Sequence, residues 1–134
     1  MDDILHFFFE IIRTNSMISR RFSAQGLDFT DFMILHYLNE APEGRLRRVD
    51  LADRLGLTAS GVTRMILPLE KTGVVKRDLD DADARARYAS LTPVGKELLT
   101  DATNRIKEKI EDVMPADLAA RAESLTTALA ELNR

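Results

Sequence analysis

Apolar residues recur at helical spacing in the first and last thirds of the chain, and the middle is cut into shorter pieces. Leu5, Phe8, Ile11, Ile12, Ile18 and Phe22 predict an amphipathic helix over Ile4 to Phe22, ended by Gln25-Gly26. A second helix is predicted from about Phe29, with Thr30 as a candidate N-cap, through FMILHYLNE to Ala41-Pro42. VDLADRL, from Val49 to Leu55, reads as a short helix stopped by Gly56. Thr58 caps the next, which reaches about Thr72 and ends at Gly73, a residue suited to a left-handed stop. Val74-Val75 and Tyr88 to Leu91 read as two strands of a hairpin. The stretch between them, RDLDDADARAR, is too polar for a core and predicts an exposed tip. Thr92 caps a long helix with Pro93 in its first position and Leu99, Ala102, Ile106, Ile110 and Val113 on one stripe. Pro115 breaks it and opens a last helix bearing Leu118, Leu125, Leu129 and Leu132 on one face.

A small middle module cannot cover all these terminal stripes. A two-fold dimer would bury them, with Leu99, Ile106, Ile110, Leu125, Leu129 and Leu132 expected at its interface. The competing arrangement packs every helix within one monomer. The expected organisation is a single domain, 1–134. Dimerisation helices at about 1–24 and 93–134 flank a lobe at about 29–92.

At 134 residues with 45% apolar and 31% charged, the chain suits one soluble domain. It has no cysteine, which removes disulfides, thiolate metal sites and thiol redox sensing. No apolar run is long enough to span a bilayer, and the acidic start lacks the basic residues of a signal peptide, so a cytoplasmic protein is expected. The net charge of −3 argues mildly against nucleic acid, but its distribution is uneven. Gly44 to Thr92 holds ten Arg or Lys against seven Asp or Glu, so a basic middle lies between acidic ends.

Helix, glycine turn, helix and hairpin together form a winged helix-turn-helix pattern, mainly α with a two-stranded β wing. A recognition helix needs small side chains for close backbone approach, hydroxyls for phosphates or base edges, and a long cation. Ser60, Gly61, Thr63 and Arg64 supply these, and Arg64 suits a guanine edge or a phosphate. Inside a helix Gly61 costs about 1 kcal/mol against alanine. Close approach to DNA, or to another helix, would account for it. Pro68 removes one helical N–H, predicting either a bend that aims the first turns or a tolerated kink. Arg85 and Arg87, on or beside the hairpin tip, suit a narrow minor groove, and one or two of Asp78, Asp80, Asp81 and Asp83 could orient Arg85. A calcium loop would need a central glycine and a closing carboxylate, which the acidic run from Asp78 lacks.

Other chemistry is thin. His6 and His36 are the only imidazoles, and neither has a persuasive relay partner, so no catalytic residue, metal or cofactor is expected. No glycine-rich phosphate loop is present. Phe8, Ile12, Phe32, His36 and Tyr37 are candidates to line a small-molecule pocket between lobe and terminal helices, with ordinary core packing as the alternative. A winged-helix protein-interaction module without strong DNA binding is the other reading of the whole chain.

LADRLGLTASGVTRMILPLEKTGVVKR resembles the helix-turn-helix and first wing strand of the MarR family of bacterial transcription regulators. Asp83-Ala84-Arg85 resembles that family's wing element, and Leu91-Thr92-Pro93-Val94-Gly95 its entry into the long dimer helix. The resemblance covers nearly the whole chain in order. It implies a homodimer on a pseudo-palindromic double-stranded operator, usually a repressor relieved by a small, often aromatic and anionic effector. By position, Ser60, Gly61, Thr63 and Arg64 would meet DNA, and Arg85 would be the wing arginine with Asp83 its partner. Two departures stand out: Leu67-Pro68 occupies the place of a frequent Asp-Arg pair, and the wing is unusually acidic.

Overall fold

A computed structural model describes residues 1–80 and 83–134, with side chains outside 78–86. Its order is α1 (Asp3–Arg21), α2 (Phe29–Glu40), β1 (Arg45–Arg47), α3 (Arg48–Leu55), α4 (Ala59–Lys71), β2 (Val75–Asp80), β3 (Asp83–Leu91), α5 (Pro93–Val113), α6 (Ala116–Ala120) and α7 (Ala122–Leu132). The helices fall close to where the hydrophobic spacing puts them, except that the single last helix expected after Pro115 is two, α6 and α7, broken at Arg121; the mainly α winged helix-turn-helix is the observed architecture.

The wing sheet has a third strand. The antiparallel order is β1-β3-β2, with Leu46 opposite Ala89 and Val75 opposite Leu91. Leu46 and Ala89 are both buried, so β1 closes the sheet onto the lobe core. Strands β2 and β3 also run further into the charged stretch than the predicted hairpin did.

Asp28, not Thr30, caps α2. Its carboxylate accepts from the Asp31 N–H at 2.8 Å, and the Asp31 carboxylate accepts from the Asp28 N–H at 3.2 Å. Burial pushes the Asp31 carboxyl above its ordinary range; the bond from the Asp28 backbone opposes this, and the Asp28 charge adds to it.

The main core gathers Ile34, Leu35 and Leu38 of α2, Leu51 of α3, Val62, Ile66 and Leu69 of α4, the sheet, and Leu99 and Ala102 of α5. A second, smaller core joins Phe22, Ala24 and Ile106, with Phe29, Phe32 and Ile110 packed on it. Lys109 donates to the Ser23 carbonyl and ties α5 to the end of α1. Two residues expected at a dimer interface are therefore elsewhere. Leu99 and Ile106 are 6% and 1% exposed within a single chain, because the first half of α5 is a wall of the lobe. Ile110 is partly buried in the second core. Leu125, Leu129 and Leu132 are exposed on α7, as are Leu118 on α6 and Phe7, Phe8 and Phe9 on α1. A cleft of about 430 Å³ between α1 and α7 is lined by Phe7, Ile11, Ile18, Leu125, Ala128 and Leu129.

At its start α5 is held close against the end of the α4–β2 turn. The Thr92 hydroxyl accepts from the Gly95 N–H at 3.0 Å, and the Thr92 N–H donates to the Val74 carbonyl at 3.1 Å. A Cβ at Gly95 would lie 2.1 Å from that carbonyl oxygen. Alanine normally gains about 1 kcal/mol over glycine in a helix, but here the backbone clash outweighs it. Gly95→Ala is expected to lower stability by about 1–3 kcal/mol in denaturant titration; unchanged or raised stability would remove this account of Gly95. A second expectation concerns Asp31. Its raised pKa means that its charge subtracts stability at neutral pH, a deficit that closes as pH falls through the raised pKa and is gone below the ordinary 3.8. Asp31→Asn keeps an acceptor for the Asp28 N–H, so it should melt no lower than wild type at neutral pH. Its margin over wild type should shrink on acidification. A lower neutral-pH melting temperature would contradict the desolvation argument.

Candidate nucleic-acid interface

Helices α3 and α4 meet at Gly56, whose φ of 69° lets the chain turn sharply. Thr58 then caps α4: its hydroxyl oxygen accepts from the Gly61 N–H at 3.1 Å and lies 3.3 Å from the Ser60 hydroxyl. Val62, Ile66 and Leu69 are buried, which turns Ser60 and Arg64 outward. Helix α4 runs through Pro68, which is exposed, so the missing N–H faces away from the core. Among the described residues, Arg64 forms no ion pair and its side chain is exposed. Arg87, exposed on β3, likewise has no ion-pair partner among the described residues. A Cβ at Gly61 would lie 3.1 Å from the Thr58 hydroxyl oxygen, so this glycine leaves room for the cap.

Thr63 differs from the sequence expectation. Its hydroxyl donates to the Ala59 carbonyl at 3.0 Å and accepts from Arg48 Nη1 at 3.2 Å. The hydroxyl is thus engaged within the protein rather than free for a phosphate or a base. Arg48, at the start of α3, is 7% exposed. Its Nη2 donates to Glu70 Oε1 of α4 at 2.9 Å, and Arg77 Nη2 of β2 lies 3.6 Å from Glu70 Oε2. One buried arginine therefore joins both ends of α4 to α3, and Glu70 extends the chain to the wing strand. Sequence reading missed Arg48 because an arginine on a short polar helix normally reads as solvated. The only available signal was its place three residues before the buried Leu51, on the same helical face.

Arg47 forks onto Asp50 at 2.9 and 3.3 Å at the entry to α3, and the Arg45 guanidinium lies 4.0 Å above the Tyr88 ring. The side chains of Asp83 and Arg85 lie outside the described residues.

The five pocket candidates sit in different surroundings. Phe8, Ile12 and His36 are exposed, and Phe32 packs against both cores. His36 and Tyr37 pack edge to face at 5.6 Å, and Arg54 lies 5.7 Å over the Tyr37 ring. A cleft of about 560 Å³ opens elsewhere, between Gln25 to Asp31, the Met65–Thr72 side of α4, and Leu98 of α5.

Residues 25–86 match the family model described as MarR family. The HTH-type transcriptional regulator PrsX of Escherichia coli is 35% identical over 83 residues, covering 62% of this chain and 50% of PrsX. The chain thus spans about half the length of the curated relatives it matches. Among solved structures, the transcriptional repressor CouR bound to a 23-mer DNA duplex has a TM-score of 0.81 at 22% identity, covering 94% of this chain and 91% of that one. NadR in complex with 4-hydroxyphenylacetate has a TM-score of 0.73 at 24% identity, covering 94% and 91%. At such identities the likeness establishes the fold, a winged lobe between terminal helices. The winged lobe thus matches the MarR family in sequence, and nearly the full length of the chain shares the fold of CouR.

Proposed function

We propose that the chain is a transcriptional regulator that binds a pseudo-palindromic duplex as a two-fold dimer. The observation that carries this reading is the outward face of α4. Its capped N-terminus presents Ser60, Gly61 and an exposed Arg64 that forms no ion pair among the described residues. Backbone N–H groups at a helix start favour phosphate, and Arg64 suits a guanine edge or a phosphate oxygen. Arg87, and Arg85 with Asp83, would make the second contact from the wing in the minor groove. CouR, of the same fold, is bound to DNA.

Dimerisation rests on the uncovered apolar faces of α1 and α7. Phe7, Phe8, Ile12, Leu125, Leu129 and Leu132 are each 41–65% exposed, more apolar surface in one region than a monomer ordinarily leaves in water. Two-fold pairing would cover it and set two α4 helices about 34 Å apart, one turn of duplex. Repression relieved by a small aromatic anion is the regulatory mode that best suits this family's fold. The edge-to-face His36–Tyr37 pair beside Arg54 offers polar and cationic groups for it.

Arg64→Ala is expected to weaken specific DNA binding by about 1–3 kcal/mol in gel-shift titration while the melting temperature holds. Wild-type affinity in this variant would reject the role. If six to ten phosphates are neutralised, affinity should fall roughly 10³–10⁵-fold between 50 and 200 mM salt. Leu125→Glu with Leu129→Glu should shift the sedimenting species from dimer to monomer at micromolar concentration; an unchanged dimer would place the interface elsewhere.

A further inference from the structure

We propose that Arg48 is a positioning residue of the recognition helix: it holds the Thr63 hydroxyl inward, so that α4 offers the groove the Thr63 methyl group, a reader of a thymine 5-methyl. This rests on the DNA-binding reading and adds a base preference to it.

The argument begins at the Thr63 Cβ, which carries one hydroxyl, one methyl and one hydrogen. The hydroxyl is turned back along the helix to the Ala59 carbonyl at 3.0 Å. It also receives Arg48 Nη1 at 3.2 Å from the side where α3 packs. Both partners lie within the protein, and Arg48 is 7% exposed. Thr63 itself is only partly buried, one residue before the exposed Arg64 and one turn beyond the exposed Ser60. With the hydroxyl fixed inward, the staggered geometry at Cβ leaves the methyl as the branch free to meet the groove. In the major groove, thymine is the base that presents a methyl, and threonine methyl contact is one of the ways it is read.

Arg48 has the chemistry for this task because its fork is planar and rigid. Nη2 is anchored on Glu70 Oε1 at 2.9 Å, and this sets where Nη1 lies. Arg77 holds the other Glu70 oxygen at 3.6 Å, which limits swivelling of the carboxylate. A lysine at 48 would pair with Glu70 through a single ammonium and lose the second arm to Thr63. It would retain charge compensation but not the rotamer lock.

The test starts with a duplex selected from a random pool by the wild-type protein. Each thymine is then replaced in turn by deoxyuridine, which removes only the 5-methyl. The wild type should lose about three- to fivefold affinity on replacement of either member of one symmetric thymine pair, the scale of one methyl group removed from water. Thr63→Ser, which keeps the hydroxyl bonds and lacks the methyl, should bind the thymine and uracil duplexes equally. Arg48→Lys should lose the thymine preference while keeping salt-dependent binding and a near-wild-type melting temperature, a split that a purely structural role would not give. Three results would overturn the proposal: no uracil-sensitive position in the wild type, an undiminished preference in Thr63→Ser, or an undiminished preference in Arg48→Lys. Absence of any salt-sensitive DNA binding by the wild type would overturn the DNA-binding reading as well, which separates the two failures.

Discussion

The rotation of α4 about its own axis is the constraint on which the rest depends. Val62 and Ile66 are fully buried and Leu69 is 6% exposed. They stand one helical turn apart and so fix a single edge of the helix against the lobe. Once that edge is pinned, Ser60 and Arg64 have nowhere to point but outward. Arg48 pins a second line along the same helix through Thr63 and Glu70. Apolar burial is non-directional and tolerates small rotations, whereas two hydrogen bonds from one rigid guanidinium do not. The combination suits a helix whose job is to place a few atoms against base edges.

A buried arginine has a cost that the arrangement meets only in part. Nη1 and Nη2 are both bonded, but Nε has no partner among the described residues. Apolar side chains of similar volume in place of the whole Arg48–Glu70 pair would pack there without that penalty. Retaining arginine trades stability for a defined orientation of α4, and the chain of contacts onward to Arg77 links that orientation to the wing strand.

Much of this was legible in the sequence where the signal was local. Thr58 and Thr92 announced their caps, and Gly56 and Gly73 the stops of their helices. Longer-range facts were not legible. The three residues of β1 are too few to show alternation, and their pairing with β3 depends on a partner more than forty residues away. The α5 stripe was visible, but not which half it served. Leu99 and Ile106 are as apolar as an interface residue should be, yet the lobe and Phe22 already cover them. The Thr30 cap failed because Asp28, two residues earlier, forms a reciprocal pair with Asp31. Thr63 was correctly placed near the outward face, but its hydroxyl's engagement depended on Arg48, fifteen residues before it.

The terminal helices divide the molecule's apolar surface in two. The first half of α5 and the end of α1 close the cores of one chain, whereas the start of α1 and all of α7 carry apolar faces with no covering within it. Together with an outward α4, these faces support the proposal of two reading heads joined by a two-fold pairing. Guanine N7 methylation interference on a selected duplex tests that claim most directly, because it reports major-groove contact base by base. The account predicts two symmetric clusters of interfering guanines about one helical turn apart. A single cluster, or interference confined to neither groove face, would contradict it.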